Sequence, residues 1–382
     1  MKNICKYDIC TGCGACANVC PKKCIKLTYT NDGFLYPIIS DGCINCGNCR
    51  MVCPAVSSVK CNNIISAFTA HSTDETVLTD STSGGMFTEI AKAVIDMGGV
   101  VFGAAFNSTF DYVLHSSTDN IEGIKQFRGS KYIQSETRNT FREAKELLDS
   151  DKYVLYTGAP CQISGLLSYL KQDYPNLVTM DFICHGVAST KMFHEYIRSL
   201  NIDRKSIVRI KFRDKTNGYR NGFLTLTLTL RDGSNYSNDT YKSSFGLAFA
   251  NNIINRVSCA NCKYATSKRV ADITVADYIG NDVDEYEEKN GSSVLLINTP
   301  NGNDIFKRIA SSIVIKEQSI SRIIESSQHL RFPAQTHKNR RRVFKEIDKE
   351  GYEYIMQRYF CKFKAKPSMK NLLYKIILLI KV

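Results

Sequence analysis

No G-x-G-x-x-G follows a strand-like segment in this chain and no Walker A lysine is present, so a standard Rossmann nucleotide site and a P-loop are not supported. A bilayer-length apolar run is missing too. The apolar stretch NLLYKIILLIKV, at 371–382, falls short of the about 20 residues that span a membrane. The start, MKNICKYDIC, has no charged-then-apolar signal pattern, which leads to the expectation of a cytoplasmic protein with reduced thiols. No motif that reads nucleic-acid sequence is recognisable, so no nucleic-acid partner is expected. Tryptophan is absent altogether. Cysteine, by contrast, is plentiful: of 16, eleven fall in the first 61 residues.

Eight of those eleven form two copies of one pattern. Cys10, Cys13, Cys16 and Cys20 precede Pro21, and Cys43, Cys46, Cys49 and Cys53 precede Pro54. Each copy reads C-x2-C-x2-C-x3-C-P, and the copies lie 33 residues apart. This is the spacing of bacterial two-cluster ferredoxins, in which the fourth cysteine of each run ligates the other 4Fe–4S cubane. One cubane is therefore expected on Cys10, Cys13, Cys16 and Cys53, the other on Cys43, Cys46, Cys49 and Cys20. Two-residue gaps wrap three soft sulfur donors around one cube, and Gly12, Gly14 and Gly47 permit the turns. The competing readings are zinc and a disulfide framework. Zinc sites usually show two C-x2-C pairs across a longer gap.

At 382 residues and 43.0 kDa the chain is too long for such a module alone, and its length implies two or three domains. An apolar content of 43% supports a real core. Residues 1–62 form the cysteine-rich module, with a turn at Asn31-Asp32-Gly33 between two short extended segments. Over 63–337 strand and helix patterns alternate. IISAFTAHS, VVFGAAF, YVLYTG, LVTMDFIC and VLLINT read as strands; MFTEIAKAVIDM, RNTFREAKELLDS, QISGLLSYLK, TKMFHEYIRSL and DIFKRIASS read as helices. IVRIKFRD and FLTLTLTLRDG read as neighbouring strands joined across a loop. The class is thus α+β: a ferredoxin-like module, then a mixed α/β domain. Residues 338–382 form a basic tail, with 13 Lys/Arg against four Asp/Glu and hence nine of the +13 net charges. Its two readings are a terminal helix packed on the body and a peripheral contact with an anionic inner-membrane surface.

A second cysteine set lies in the body. Cys161 follows a strand in TGAPCQ, Cys184 ends one in FICHG, and Cys259 and Cys262 form the C-x2-C of SCANCKY. Strand-end positions are where open α/β sheets present ligand loops. Four thiolates from three loops could hold a third cubane. The alternatives are ordinary buried thiols at Cys161 and Cys184 and a redox dithiol at Cys259 and Cys262. Cys5, Cys24, Cys61 and Cys361 have no place in this counting.

Residues 1–340 resemble the family of coenzyme F420 hydrogenase/dehydrogenase beta subunits. The matching segments are the dicluster run, STSGGMFT (81–88), FRGSKYIQS (127–135), TGAPCQISGL (157–166), DFICHGVAS (181–189), KFRDK (211–215), SCANCKYATSKRVADITVADYIG (258–280) and HKNRR (337–341). The resemblance implies an FAD-binding α/β core with an iron–sulfur cluster close to the flavin. Archaeal members pass electrons to coenzyme F420, plant and cyanobacterial relatives reduce chlorophyll-type or bilin-like substrates, and many bacterial members have an undefined acceptor. One departure is DYIG at 277–280, where the family often has tryptophan.

Several loops make chemical sense around a flavin. Ser83, Gly84 and Gly85 begin a helix and expose backbone N–H groups to a phosphate, or form a plain N-cap. Arg128, Lys131 and Tyr132 could pair with the pyrophosphate or stack on a ring. Gly158 and Pro160 shape the loop that presents Cys161. His185, next to Cys184, is an acid/base candidate. Asn339 and Arg340 resemble a family cofactor contact. The expected function is a flavin-dependent iron–sulfur oxidoreductase. Its N-terminal module takes electrons from a ferredoxin-like or other redox protein donor, and FAD passes them to a small-molecule acceptor such as F420. The rival is a non-catalytic electron-transfer subunit of a larger redox complex.

Overall fold

The computed structural model describes residues 3–216, 218–219, 225–238, 244–280 and 282–360. The cysteine-rich module comes first. Helix α1 (Ala15–Val19) and helix α2 (Asn48–Met51) flank a two-stranded antiparallel ribbon, β1 (Ile25–Tyr29) with β2 (Leu35–Ile39). The ribbon turns at Gly33, as the Asn-Asp-Gly sequence implies.

The body is built on nine strands. They are β3 (Ser66–Ser72), β4 (Val100–Phe106), β5 (Val113–Thr118), β6 (Ser135–Glu136), β7 (Val154–Thr157) and β8 (Leu177–Phe182), then β12 (Ile273–Asp277), β13 (Ser293–Ile297) and β14 (Ile313–Glu317). The three between, β9 (Ile207–Lys211), β10 (Leu226–Leu230) and β11 (Asn235–Asn238), form a separate antiparallel sheet. The large sheet runs β14-β3-β13-β12-β8-β7-β4-β5-β6. Its centre, β4-β7-β8-β12, is parallel. The antiparallel pairs β12-β13, β13-β3, β3-β14 and β4-β5 extend it.

Helices cover both faces: α3 (Glu75–Asp80), α4 (Met86–Asp96), α5 (Thr140–Asp149), α6 (Pro160–Leu170), α7 (Thr190–Ser199), α8 (Ser244–Ala250), α9 (Glu285–Asn290), α10 (Pro300–Ile309), α11 (Ile320–Ser326) and α12 (Arg340–Phe360). Strand alternation decides which face each residue serves. Val101, Leu155 and Val178 point to one side, where α4 and α10 bring Ile90, Val94 and Ile305. Phe102, Val154, Tyr156 and Leu177 point to the other, against Phe141 of α5 and Ile163 and Leu166 of α6. The N-terminal module packs on this second face, where α1 meets α5 and α6. Arg142 of α5 donates to the carbonyls of Ala17 (3.0 Å) and Asn18 (2.7 Å), placing a cation at the end of α1.

A third core gathers Phe193 and Tyr196 of α7, Phe245 of α8 and Phe212. Val343, Ile347, Ile355 and Met356 of α12 close it. The first half of the basic segment is therefore a packed helix, broken at Gly351 (φ 77°). Residues 361–382, with Cys361 and the apolar end expected as a membrane contact, lie outside the described residues. No helix among the described residues is long and apolar enough to cross a membrane.

Candidate metal centres

Two clefts in the module carry the eight cysteines. An inner cleft of about 340 Å³ is lined by Cys10, Cys13, Cys16 and Cys53. An outer cleft of about 350 Å³ is lined by Cys43, Cys46, Cys49 and Cys20. Cys20 thus lines the cleft of the second run, and Cys53 that of the first. Gly12, Gly14 and Gly47 all have left-handed φ, of 67°, 87° and 79°. At Gly14 there is a second reason: a Cβ would collide with Thr137 Oγ1, so the loop approaches the body where only glycine fits.

The clefts differ in exposure. Cys10, Cys13, Cys16 and Cys53 are buried, whereas Cys46 is exposed and Cys43 half-buried. Burial pushes the Cys13 thiol up to about 12. Cys10 falls to about 6, first through the thiol of Cys5 beside it, with the Arg256 guanidinium adding to the effect. Among the described residues no three His, Cys, Asp or Glu side chains converge tightly enough for a single metal ion. Four soft thiols around an open cleft fit a cubane, whose thiolates attach at separate iron corners.

The second set also comes together. Cys161 is the second residue of α6, directly after β7, and Cys184 follows β8. Cys259 lies in the turn Val257–Asn261, with Cys262 next to it. The four thiols act on one another: Cys161 feels Cys184, Cys262 and Cys259, and Cys184 feels Cys259 and Cys262. Burial raises all four, Cys259 to about 11. Gly186 (φ 104°) lets the Cys184 loop close over them, since a Cβ there would sit 3.4 Å from that of Cys259. Beneath the loop, buried Arg269 pairs with buried Asp181 at 2.9 Å.

The inner cleft abuts this second set. A Cβ on Gly165 of α6 would lie 2.9 Å from Cys13 Sγ, one turn along the helix from Cys161. Cys13 is also among the charges that raise Cys161. Arg256 spans the same boundary. Its Nε donates to Cys10 O (2.7 Å), Nη1 to Gln134 Oε1 (2.9 Å) and Nη2 to Leu35 O (2.8 Å). Three residues on is Cys259, whose thiol this cation lowers. Sequence reasoning passed over Arg256 and Gln134, because a single Arg or Gln carries no local pattern.

The loops expected around a flavin fall into two groups. One group gathers near the carboxyl end of β12. Ser83 Oγ donates to Ser292 O (2.8 Å), the Gly84 N–H to Ser293 Oγ (2.9 Å), and the Ser130 N–H to Thr82 Oγ1 (2.9 Å). Gly85 (φ 85°) starts α4 with no side-chain cap. Arg128 reaches Asp80 at 3.6 Å, and its buried Nε has no partner among the described residues. Tyr132 stacks on Phe249 at 4.6 Å. Arg213 pairs with Asp277, the last residue of β12, and Lys215 Nζ donates to the carbonyls of Leu78, Ser83 and Asn290. An uncapped helix start beside an unpartnered guanidinium N–H fits an anion. This edge of the sheet also carries Cys184, because β8 and β12 lie side by side and parallel.

The other group is committed elsewhere. Lys131 Nζ donates to the carbonyls of Gln126, Phe127 and Arg128, and so caps its own turn rather than facing a pyrophosphate. Arg340 donates to Asn255 O (2.6 Å) and pairs with Asp32 of the module (3.1 Å). It ties α12 to the ribbon instead of presenting an open cofactor contact. The Asn339 N–H bonds to His337 Nδ1 beside it. Gly158 lies under the Cys161 loop, where a Cβ would be 3.4 Å from His115 Nε2. The His185 ring meets His329 edge to face at 4.3 Å.

Comparison with known proteins bears on the same regions. Residues 9–56 match the model of the 4Fe-4S dicluster domain. Residues 151–323 match that of the C-terminal part of the coenzyme F420 hydrogenase/dehydrogenase beta subunit. A curated relative, one of the subunits of the F(420)H(2) dehydrogenase of Methanosarcina mazei, is 27% identical over 235 residues, 56% of this chain and 64% of that protein. The match thus spans less than two thirds of the relative's length. A solved structure of the F420-reducing NiFe hydrogenase complex from Methanosarcina barkeri is similar at 19% identity and a TM-score of 0.48, over 67% of this chain and 82% of that one.

Proposed function

In a chain that joins a 4Fe–4S dicluster domain to the C-terminal region of the coenzyme F420 hydrogenase/dehydrogenase beta subunit, we propose a flavin-containing oxidoreductase that moves electrons inward from a protein donor to a small-molecule acceptor. The chain is an iron–sulfur redox protein of that kinship. The flavin, the third cubane and the acceptor are the proposal. The observation that carries it is the contact between Cys13 and the helix bearing Cys161.

Bound cubanes supply one-electron steps, and a bound FAD pairs them into a two-electron transfer. This chain's residues give those steps an order. Cys46, at the solvent edge of the outer cleft, marks the entry. Cys13 and Arg256 stand between the inner cleft and the second set. Cys161, Cys184, Cys259 and Cys262 would hold the third centre. Arg128 Nε and the start of α4 offer donors to the FAD pyrophosphate, and Arg213 adds positive charge beside them. His185 is the candidate for holding a proton near the acceptor.

Anaerobic purification tests this reading. The expected protein is brown, with about twelve irons per chain and releasable FAD. About eight irons would remove the third centre, and a colourless zinc protein would overturn the whole account. Screening acceptors with reduced ferredoxin as donor, F420 included, then identifies the substrate. The matched relative is named as part of a multi-subunit enzyme, which favours a second reading: an electron relay within a larger complex. On that reading the isolated chain reduces no small molecule even when an artificial donor keeps its centres reduced.

A further inference from the structure

Tyr264 stands at the boundary between the inner cleft and the second thiol set. It is buried in the same apolar core as Cys13, and Cys161 and Cys262 pack against that core. Its phenol O–H donates to Ser164 Oγ at 2.7 Å. Ser164 lies three residues after Cys161 on α6 and one before Gly165, so all three share one helix face. That is the face on which Gly165 approaches Cys13 Sγ. The ring of Tyr264 therefore fills space that the two thiol sets have in common.

The chain holds the ring there from several sides. Arg269, from its buried pair with Asp181, donates through Nη1 to Tyr264 O at 3.2 Å. Next to the tyrosine, Lys263 Nζ donates to the carbonyls of Pro54 and Ser57, just past Cys53 of the inner cleft. A buried phenol needs a partner for its O–H, and Ser164 is that partner. Around it the core is apolar, with Ala15, Val52, Ile163 and Leu166.

We propose that Tyr264 is a positioning residue for electron exchange between the inner centre and the third centre. Its ring keeps water out of their boundary and so sets the potentials on both sides. The inference rests on the third-centre reading above. Solvent access is one of the quantities that fix the potential of an iron–sulfur centre, because water stabilises the more negative, reduced state. The step served moves one electron: one centre is oxidised as the other is reduced. The tyrosine neither gains nor loses a proton, since its O–H is committed to Ser164. Removing the ring leaves a cavity beside a buried hydroxyl, and a cavity with polar partners takes up water. The outer cleft shares no residue with this core and serves as the reference.

The test uses the full chain, purified anaerobically. Its readouts are iron per chain, deuterium modulation of the spin echo of the reduced protein after transfer to heavy water, and midpoint potentials followed by paramagnetic resonance. Tyr264→Phe keeps the ring and should match the wild type in all of them. Tyr264→Ala should keep the wild-type iron and gain deuterium modulation. It should also raise the potentials of the two flanking centres by a tenfold change in the one-electron equilibrium, about 59 mV. The outer centre should not move. Tyr264→Leu, nearer to the ring in volume, should fall between, and it is read in the same way should the alanine variant lose iron. Unchanged potentials and modulation in a fully loaded Tyr264→Ala overturn the proposal. A Tyr264→Phe that shifts as far as Tyr264→Ala does so too, because the hydroxyl and not the ring would then be responsible. Loss of iron in both the alanine and leucine variants also overturns it, since the ring would then hold the Cys262 loop itself. A wild type with about eight irons overturns the third centre and this role together.

Discussion

The guanidinium of Arg256 donates through Nε to the carbonyl oxygen of Cys10 at 2.7 Å, joining positions 246 residues apart. The same group holds Gln134 and Leu35, so one buried cation fixes the inner cleft against the body. A positive charge beside a cluster favours its reduced, more negative state.

Arg256→Gln should therefore lower the midpoint potential of the inner centre. The expected shift is on the order of 60 mV, a tenfold change in a one-electron equilibrium. Arg256→Lys should restore most of the potential but not the stability, because an ammonium cannot make the three-way fork. A redox titration followed by paramagnetic resonance measures this. Equal potentials in wild type and Arg256→Gln would show that the arginine is only a structural tie.

Gly165→Ala sets two effects against each other. In an exposed helix the change stabilises by about 1 kcal/mol. Here the new Cβ meets Cys13 Sγ at 2.9 Å and Phe141 Cε2 at 3.3 Å, and crowding of this kind costs roughly 1–3 kcal/mol. Net destabilisation and a perturbed inner-centre spectrum are expected. A higher melting temperature with an unchanged spectrum would contradict the close approach.

Arg269→Met leaves Asp181 buried without its partner, while Thr274 Oγ1 still donates to the carboxylate at 2.5 Å. Removing one member of a buried pair costs about 3–5 kcal/mol. Arg269→Met/Asp181→Leu should recover much of that loss in urea unfolding. On the proposed third centre, iron content should also fall in the single variant, because the pair lies under the Cys184 loop.

His115 supplies a pH dependence. Burial holds its imidazole down to about 4 while Nε2 bonds to Thr157 O at 3.0 Å. The unfolded chain takes up a proton near pH 6.5 that the folded chain refuses until about pH 4. Stability should thus be complete above about pH 6.5 and decline as pH falls through that window, by up to about 3 kcal/mol. His115→Gln should flatten this part of the acid limb, read as the difference in urea midpoint between pH 7 and pH 5. An unchanged difference would show that other groups set it.

Exposed Ile44 and Met51 lie near the outer cleft, beside exposed Lys22, Lys23 and Arg50. Reduction by an acidic protein donor should therefore slow as salt rises, whereas reduction by dithionite should change little. Lys22→Glu/Arg50→Glu should lower the protein-donor rate alone. Equal slowing with both donors would indicate damage to the centre instead.

What could be read in advance depended on how local the signal is. The crossed cysteine sets follow from spacing within two short runs. The alternating helices and strands were legible where apolar periods were clean, as in Met86–Asp96 and Val100–Phe106. Strand β12 went unread because ITVAD sits inside a segment dominated by its cysteines, and β14 because four of its five residues are exposed. In VLHSST, which forms β5, polar residues hide the alternation. Arg340 resembled a cofactor contact at the start of the basic tail; its bonds to Asp32 and Asn255 exist only once α12 is folded back. Lys131 was misleading for the opposite reason, since the carbonyls it caps belong to residues three to five places before it.

The fit of Gly33 against Ser189 and Lys191 has a consequence for how such chains are assembled. A Cβ there would lie 2.5 Å from Ser189 Oγ, and Ser189 Oγ and Lys191 Nζ donate to the carbonyls of Asp32 and Asn31. With Arg142, Arg256 and Arg340 this grips the first 62 residues from three sides. The seam at residue 62 is thus a boundary of composition and not a hinge. A ferredoxin transplanted from elsewhere would not engage this body unless it brought the glycine approaches and carbonyl acceptors with it. The two parts are one machined fit, and the module cannot serve as a swinging arm.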